Sequence, residues 1–360
     1  MKKYLLLALI FNCQFSIFNS ARAQRYFDEL TVSYYIINYE EKYAAFDGTN
    51  NAGPDFVIPD FLKIGVMPFA GTYSVTELAD RCFDKRTVFK TIKIGNNVQT
   101  IGDYAFRECT RLQSVTFGNS LQTIGVEAFR SCNALKSVTL PGSLQTIGNR
   151  AFFECNALES ITFGNSLQTI GDEAFYDCSK LRSITLPGSV KSIGNNAFDN
   201  CTSLTSITLG DSVKSIGKNA FALCTSLTSV NLGKAVETIG SGAFSCCPLE
   251  TVIIPNTIQS VGADAFEFCP EDLTLSIPYD SRILFLNAGL SPSQLIERNP
   301  IEQDVNNDGH INSGDVVSIY NYIIAPEKTG IHPFRADTNL DGDVNSGDVV
   351  DIYNAIINGK

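Results

Sequence analysis

Two acidic segments near the C-terminal end have side chains whose types and spacing could hold a metal ion. They occupy residues 304–315 and 337–348, and both read D-x-N-x-D-G-x-[IV]-N-x-x-D. Oxygen ligands fall at loop positions 1, 3, 5, 9 and 12, position 7 offers a backbone carbonyl, and glycine at position 6 permits a sharp turn. Because calcium takes six to eight hard oxygen ligands, each segment predicts a loop around one Ca²⁺, two ions in all.

The predicted ligands form two matching sets, in which position 7 contributes only its backbone carbonyl. The sets are Asp304, Asn306, Asp308, His310, Asn312 and Asp315, then Asp337, Asn339, Asp341, Asp343, Asn345 and Asp348. Position 12 is Asp where the EF-hand motif has Glu, so each loop must close slightly tighter. The carboxylates of an empty loop would repel one another, so we expect this region to fold poorly without calcium.

One amphipathic helix is predicted behind each loop. Apolar residues follow the loops at i, i+3, i+4, i+7 and i+8 spacing, which places them on one stripe of a helix. These residues are Val316, Ile319, Tyr320, Ile323, Ile324, and Val349, Ile352, Tyr353, Ile356, Ile357. Two such helices can bury both stripes against each other, which predicts a small all-α domain over residues 297–360.

A duplicated loop with a following helix, and with no helix before it, resembles the type I dockerin domain over about residues 300–360. The resemblance implies calcium-dependent docking to a cohesin-type partner through loop positions 10 and 11. Those positions are Ser313, Gly314, Ser346 and Gly347. Serine fits the family, whereas glycine departs from the commoner Ser-Thr pair. The same pair in both halves would permit two docking orientations related by a 180° turn.

The middle of the chain repeats every 23 residues. Each unit reads I-G-x-x-A-F-x-x-C-x-x-L-x-S-[VI]-x-[LF], and a degenerate unit begins at Leu78, so about nine units cover roughly 76–278. The Ile-Gly pairs begin at Ile101, Ile124, Ile147, Ile170, Ile193, Ile216 and Ile239, and Val261 follows after 22 residues. One unit is too short to close a core, but stacked units align their apolar residues into ladders. We therefore predict a β-rich solenoid in which Val115 and Phe117 mark a short strand.

The L-x-x-[VI]-x-[LF] spacing with a period of 20–29 residues is that of leucine-rich repeats. With its A-F-x-x-C and I-G elements, the array resembles the BspA-like leucine-rich repeat family of bacterial surface proteins over about residues 30–290. That resemblance implies adhesion to host matrix proteins or to other cells.

Eight cysteines occupy one repeat position. They are Cys109, Cys132, Cys155, Cys178, Cys201, Cys224, Cys247 and Cys269. Buried free thiols are the favoured interpretation, because free cysteine behaves as a small hydrophobe. One or more disulfides between neighbouring rungs are the alternative, with Cys246 the first candidate for an exception. No C-x-x-C pair or nearby histidine indicates zinc.

Specificity in a solenoid is expected where exposed side chains vary while their frame stays constant. The predicted outward positions are a nearly invariant serine, such as Ser114, a threonine two residues later, and a variable residue before the serine. The variable ligand-face residues are Gln113, Lys136, Glu159, Arg182, Thr205, Thr228 and Glu250. The alternative is that these side chains are solvated polar filler.

The N-terminus predicts export. Lys2 and Lys3 precede a broken apolar stretch, and Ala21-Arg22-Ala23 offers a cleavage site, which together indicate a signal peptide over residues 1–23. A lead-in or cap of the solenoid is then expected over 24–75, repeats with a C-terminal cap over 76–296, and the calcium module over 297–360. No later segment is apolar enough to span a membrane. The chain is therefore expected to be a bacterial secreted or cell-surface protein.

Composition excludes several function classes. The net charge is −11, with 27 basic against 38 acidic side chains, so the basic footprint of a nucleic-acid binder is absent. Both histidines, His310 and His332, fall in the calcium module, and tryptophan is absent. Acidic residues of the repeats such as Asp172, Glu173 and Asp211 occupy variable surface positions. We therefore expect a non-catalytic, secreted interaction protein whose repeats bind a protein ligand. The alternative is a polysaccharide-binding or polysaccharide-degradation accessory component of a cellulosome-like complex.

Overall fold

The computed structural model of the chain describes residues 24–27, 32–38, 43–49, 53–64, 71–278 and 281–297. The predicted signal segment at 1–23 and the predicted calcium module from residue 298 onward lie outside the described residues. Within them the chain coils into a β-solenoid with one 23-residue unit per turn, as the repeat predicts.

Five of the six strands before the regular repeats are longer than those within them, and β4 has three residues. They are β1 (Gln24–Phe27), β2 (Val32–Asn38), β3 (Tyr43–Thr49), β4 (Asp55–Val57), β5 (Phe61–Ile64) and β6 (Gly71–Leu78). Each repeat then supplies one three-residue strand and one two-residue strand. The three-residue strands are β7 (Thr91–Lys93), β9 (Ser114–Thr116), β11 (Ser137–Thr139), β13 (Ser160–Thr162), β15 (Ser183–Thr185), β17 (Ser206–Thr208), β19 (Ser229–Asn231) and β21 (Thr251–Ile253). The two-residue strands are β8 (Thr100–Ile101), β10 (Thr123–Ile124), β12 (Thr146–Ile147), β14 (Thr169–Ile170), β16 (Ser192–Ile193), β18 (Ser215–Ile216), β20 (Thr238–Ile239) and β22 (Ser260–Val261).

A non-repeating cap ends the described solenoid. It consists of β23 (Thr274–Ile277), the short helix α1 (Arg282–Asn287), a 3-10 turn (Pro292–Gln294) and β24 (Leu295–Glu297). Strand β24 pairs in parallel with β23, so the cap adds a last rung to the sheet of three-residue strands.

Two sides of the solenoid are parallel sheets. The two-residue strands form one long sheet that begins with β1, β2, β3 and β6 and ends at β22. The pairs β1–β2, β2–β3 and β5–β6 are antiparallel, and the pairs from β3–β6 onward are parallel. The three-residue strands and the cap form three successive sheets, β4-β7-β9, β11-β13 and β15-β17-β19-β21-β23-β24. Equivalent residues face each other across the rungs: Thr123 pairs with Thr146, and Ser137 with Ser160. One unit is therefore one complete turn.

The third side is a ladder of turns built from the A-F segments. Alternate amides donate to the next unit, as Phe106 N–H does to the Ala128 carbonyl at 2.7 Å. The amides between them form turns within the unit; for example, the Arg107 N–H donates to the Tyr104 carbonyl at 3.1 Å. Each unit has two residues with positive φ, for example Tyr104 at 59° and Glu108 at 56°. We call this side the turn face.

A stack of phenylalanine rings runs through the interior. It has nine rings, the first Phe83 and the last Phe266, with centroids 4.9–5.5 Å apart and planes within 14° of parallel. Phe46 in β3 extends the stack, 5.1 Å from Phe83. The lead-in strands therefore share one core with the repeats, and the prediction of about nine units is confirmed.

The cysteine ladder lies beside the phenylalanine stack. The ten described cysteines are free, and seven of the eight ladder positions are fully buried. Each thiol donates to the phenylalanine carbonyl of the preceding unit, as Cys155 Sγ does to the Phe129 oxygen at 3.1 Å. Burial raises the pKa of the Cys109 and Cys155 thiols to about 12. Buried free thiols are thus confirmed, except that Cys269 is only partly buried because the last unit is covered by a cap rather than by another repeat.

Candidate interaction surfaces

The side formed by the three-residue strands presents three exposed columns. The middle residue of each strand points inward, and the residues on either side point outward, as in β9, where Val115 is buried between exposed Ser114 and Thr116. The serine and threonine columns therefore form a regular hydroxyl surface along this side. We call it the strand face.

The seven predicted ligand residues form the third column of the strand face. All seven are exposed, and their backbones continue the parallel ladder: the Glu159 amide donates to the Lys136 carbonyl at 2.8 Å, and Thr205 to that of Arg182 at 2.9 Å. Arg182 and Glu159 approach each other to 4.0 Å with both side chains largely solvated. The structure thus brings these positions together on consecutive rungs. Their role in binding stays a prediction.

The turn face carries charge pairs that sequence reasoning missed. Arg107 forms two hydrogen bonds with Asp84, at 2.9 and 3.0 Å, and Arg150 forms two with Glu173, at 2.9 and 2.8 Å. Each pair joins adjacent units, because its members are 23 residues apart. Opposite charges one period apart were the signal that could have identified them.

An aromatic pair lies among these charges. The rings of Phe153 and Tyr176 stack with centroids 4.8 Å apart, and the guanidinium of Arg130 lies 5.1 Å from the Phe153 ring. Burial raises the pKa of the neighbouring Asp177 and Asp199 carboxyls, which accept hydrogen bonds from the amides of Asn200 and Asn196. The side chains of the turn face therefore also differ from unit to unit.

The acidic residues named from the sequence have structural contacts. Asp172 Oδ1 accepts the backbone N–H of Asn195 in the next unit at 2.7 Å, and Asn149 and Asn195 accept the equivalent N–H groups at 2.9 Å. Glu173 is held by Arg150, and Asp211 is exposed. In these positions the carboxylates bridge rungs or face water.

The predicted calcium ligands and docking residues, all within 304–348, lie outside the described residues. Along the ranges that the structure describes, no helix combines the length and apolar character needed to cross a bilayer.

The stacked 23-residue turns, with a strand face and a turn face around a phenylalanine core, define a leucine-rich-repeat solenoid. Residues 76–204 and 145–272 match the family model for the BspA type leucine rich repeat region, with six copies, which together cover more than half of the chain. The chain therefore belongs to the BspA type leucine-rich repeat family. Residues 302–357 match the type I dockerin domain, so the C-terminal module is a dockerin domain.

Several solved structures are similar to the chain. The pneumococcal vaccine antigen PcpA is 22% identical over 72% of this chain and 82% of its own, with a TM-score of 0.47. A leucine-rich repeat protein of T. pallidum is 27% identical over 53% of this chain and 85% of its own, with a TM-score of 0.47. A leucine-rich cell surface protein of Faecalibacterium prausnitzii is 22% identical over 78% of this chain and 94% of its own, with a TM-score of 0.36. No curated protein sequence matches the chain.

Proposed function

We propose that the chain is a secreted, non-catalytic bacterial interaction protein that recognises a protein ligand with its repeats and docks to a cohesin-type partner through its C-terminal module. The observation that carries the proposal is the presence of a BspA type repeat region and a type I dockerin domain in one chain. Both are interaction modules. An N-terminal signal peptide would deliver the protein to the cell surface or medium.

Ligand recognition is assigned to the strand face. Its variable column places basic, acidic and uncharged polar side chains on consecutive rungs. Backbone hydrogen bonds between the rungs hold these side chains in register. Such a surface suits an extended partner that spans several units, since each rung can contribute one contact.

Docking is assigned to the calcium module. Two ions would order the loops, and Ser313, Gly314, Ser346 and Gly347 would contact the partner. Because the two halves carry the same pair, we expect either half to suffice for docking. Replacing one Ser-Gly pair should then leave binding intact, whereas replacing both should abolish it. Loss of binding from one replacement alone would contradict two docking orientations.

The first experiment immobilises the chain from residue 24 and probes it with secreted and envelope fractions of the source organism, in calcium and then in chelator. We expect a protein that is retained only in calcium and lost when Asp304→Ala and Asp337→Ala are combined. Retention that is indifferent to calcium, or no retention, would contradict a docking role.

The second experiment tests the ligand face with matched panels of matrix proteins and glycans. We expect a protein ligand whose binding is weakened by Arg182→Ala but not by Lys191→Ala, which removes an exposed cation directly before β16, outside the strand face. The regular hydroxyl columns of the strand face favour polysaccharide as the second candidate. Binding to glycans alone would replace the first candidate with it.

A further inference from the structure

One left-handed position of the turn face changes character at the C-terminal end of the solenoid. The second positive-φ residue of each early unit is polar: Glu108, Ser131, Glu154, Asp177 and Asn200. In the last three units the same position holds Leu223, Cys246 and Phe268, with φ of 56°, 60° and 56°. Leu223 is 43% exposed and Phe268 is 75% exposed.

These three residues form a continuous row. The Leu223 amide donates to the Ser245 carbonyl at 2.9 Å, and the Cys246 amide to that of Glu267 at 2.8 Å, so they lie on consecutive rungs. Positive φ is uncommon for residues with bulky side chains. A phenyl ring that stays exposed also contributes little hydrophobic free energy to folding. Folding of the solenoid therefore gives no reason for phenylalanine at this position, whereas a partner that covers it does.

A cavity of about 480 Å³ adjoins the end of the row. Phe268, Ala288 and Leu290 give it an apolar wall, and the acidic residues Asp264, Glu267 and Glu271 also line it. Its lining in the described chain includes no lysine or arginine. The volume is in the range of ligand pockets and would accept a few side chains. We call this cavity, together with Leu223, Cys246 and Phe268, the cap groove.

We propose that the cap groove binds a segment of a separate protein that presents lysine or arginine beside a large apolar side chain. The apolar side chain would cover Phe268, and the cation would face the carboxylates. Charge argues against two nearer occupants. Residues 298–360 contain ten carboxylates and only four basic side chains, so they stay net negative even with the two proposed Ca²⁺ ions bound, and a second copy of the chain carries a net charge of −11. Both would bring negative charge to a negative cavity. The site is separate from the ligand column of the strand face.

The test uses the chain from residue 24 in calcium and three labelled peptides, measured by fluorescence anisotropy. The probe is Gly-Lys-Leu-Lys-Phe-Gly, and its two analogues replace lysine by glutamate or both apolar residues by serine. We expect the probe to bind, and both analogues to bind at least about tenfold more weakly. Binding should weaken as salt is raised.

Variants locate the site. Phe268→Ser and Glu267→Gln should each weaken probe binding, the former by about tenfold or more. Ile253→Ser is the matched control, because Ile253 is 64% exposed but lies on the strand face, and it should leave binding unchanged. Thermal unfolding should show that all three variants are folded.

Any of four results would overturn the proposal. The first is no probe binding at millimolar peptide, and the second is equal binding of the glutamate analogue. The third is an equal effect of Phe268→Ser and Ile253→Ser on probe binding. The fourth is a dimer in sedimentation velocity that Phe268→Ser dissociates, which would make a second copy the occupant.

Discussion

Cysteine recurs at one position of the repeat because its thiol has an acceptor there, the phenylalanine carbonyl of the preceding unit. The Phe129 oxygen accepts the Cys132 N–H of its own unit at 3.2 Å and the Cys155 thiol of the next unit at 3.1 Å. Alanine would leave this buried oxygen with one hydrogen bond, and a larger side chain would displace the adjacent ring. Cysteine is small and apolar, and it still carries a weak donor, so it meets both requirements.

Buried thiols predict a loss of stability at alkaline pH. The pKa of Cys155 is raised to about 12 by burial, whereas an unfolded thiol titrates near pH 8.5. Between these values the folded state binds more protons than the unfolded state, so the free energy of unfolding falls as pH rises. This thiol should contribute about 1.4 kcal/mol per pH unit between about pH 9 and 11. Urea unfolding with reductant should show a shallower decline for Cys155→Ala. If the free energy of unfolding falls equally with pH in the parent and in Cys155→Ala, the folded state does not raise the pKa of this thiol.

At the scale of the repeat element, the I-G pair needs glycine because the backbone of one rung lies directly against the backbone of the next. A Cβ atom on Gly148 would lie 2.7 Å from the Gly125 carbonyl carbon and 2.9 Å from the Val126 nitrogen. Neither atom belongs to a flexible side chain, so the rung itself would have to move. The spacing of the ladder depends on the absence of a side chain here.

Alanine substitutions at two glycines of one unit should therefore differ. Gly148→Ala should cost about 1–3 kcal/mol through overpacking. Gly142→Ala, where an added Cβ has no neighbour within 4 Å, should stay within about 0.5 kcal/mol of the parent. Chemical unfolding of both variants checks this. Equal losses of stability would indicate that glycine is required at position 148 for its backbone conformation and not for the close contact between rungs.

The side-chain oxygen that accepts a backbone N–H of the next unit comes from Asp in some units and from Asn in others, so substitutions at Asp172 can separate the hydrogen bond from the charge. Asp172→Ala removes the acceptor of the Asn195 N–H and should cost about 1 kcal/mol. Asp172→Asn should be nearly neutral, since Asn149 and Asn195 accept the same bond in other units. Unfolding midpoints measure both. A cost for asparagine equal to that for alanine would show that negative charge, and not the hydrogen bond, matters at this position.

At the scale of the whole molecule, periodicity determined what could be predicted. The 23-residue spacing predicted the solenoid, the inward Val115, the buried thiols and the exposed columns, because equivalent residues share one environment. It did not predict left-handed residues such as Tyr104 and Glu108, since bonds between units impose that backbone on side chains that do not favour it. The cap groove was also missed. Part of its wall comes from Ala288 and Leu290 of the cap, which occur once and so follow no repeat period.

Calcium should stabilise one part of the molecule selectively. In calorimetry of the chain from residue 24, we expect chelator to remove or lower only the transition of the C-terminal module. The combined substitution of Asp308→Ala with Asp341→Ala should do the same in the presence of calcium. The solenoid transition should not move, since its described side chains include no metal-binding cluster. A shift of both transitions would show that module and solenoid unfold together.

The nearly constant separation of 22 or 23 residues between paired rungs also has a mechanical consequence. Each turn is held to its neighbours only, so a load applied along the axis would detach terminal turns one after another. Every released turn frees roughly 80 Å of contour length. Optical-tweezer traces should therefore show equal steps rather than one rupture, and a protein held at one end and loaded at the other would yield gradually and recover turn by turn.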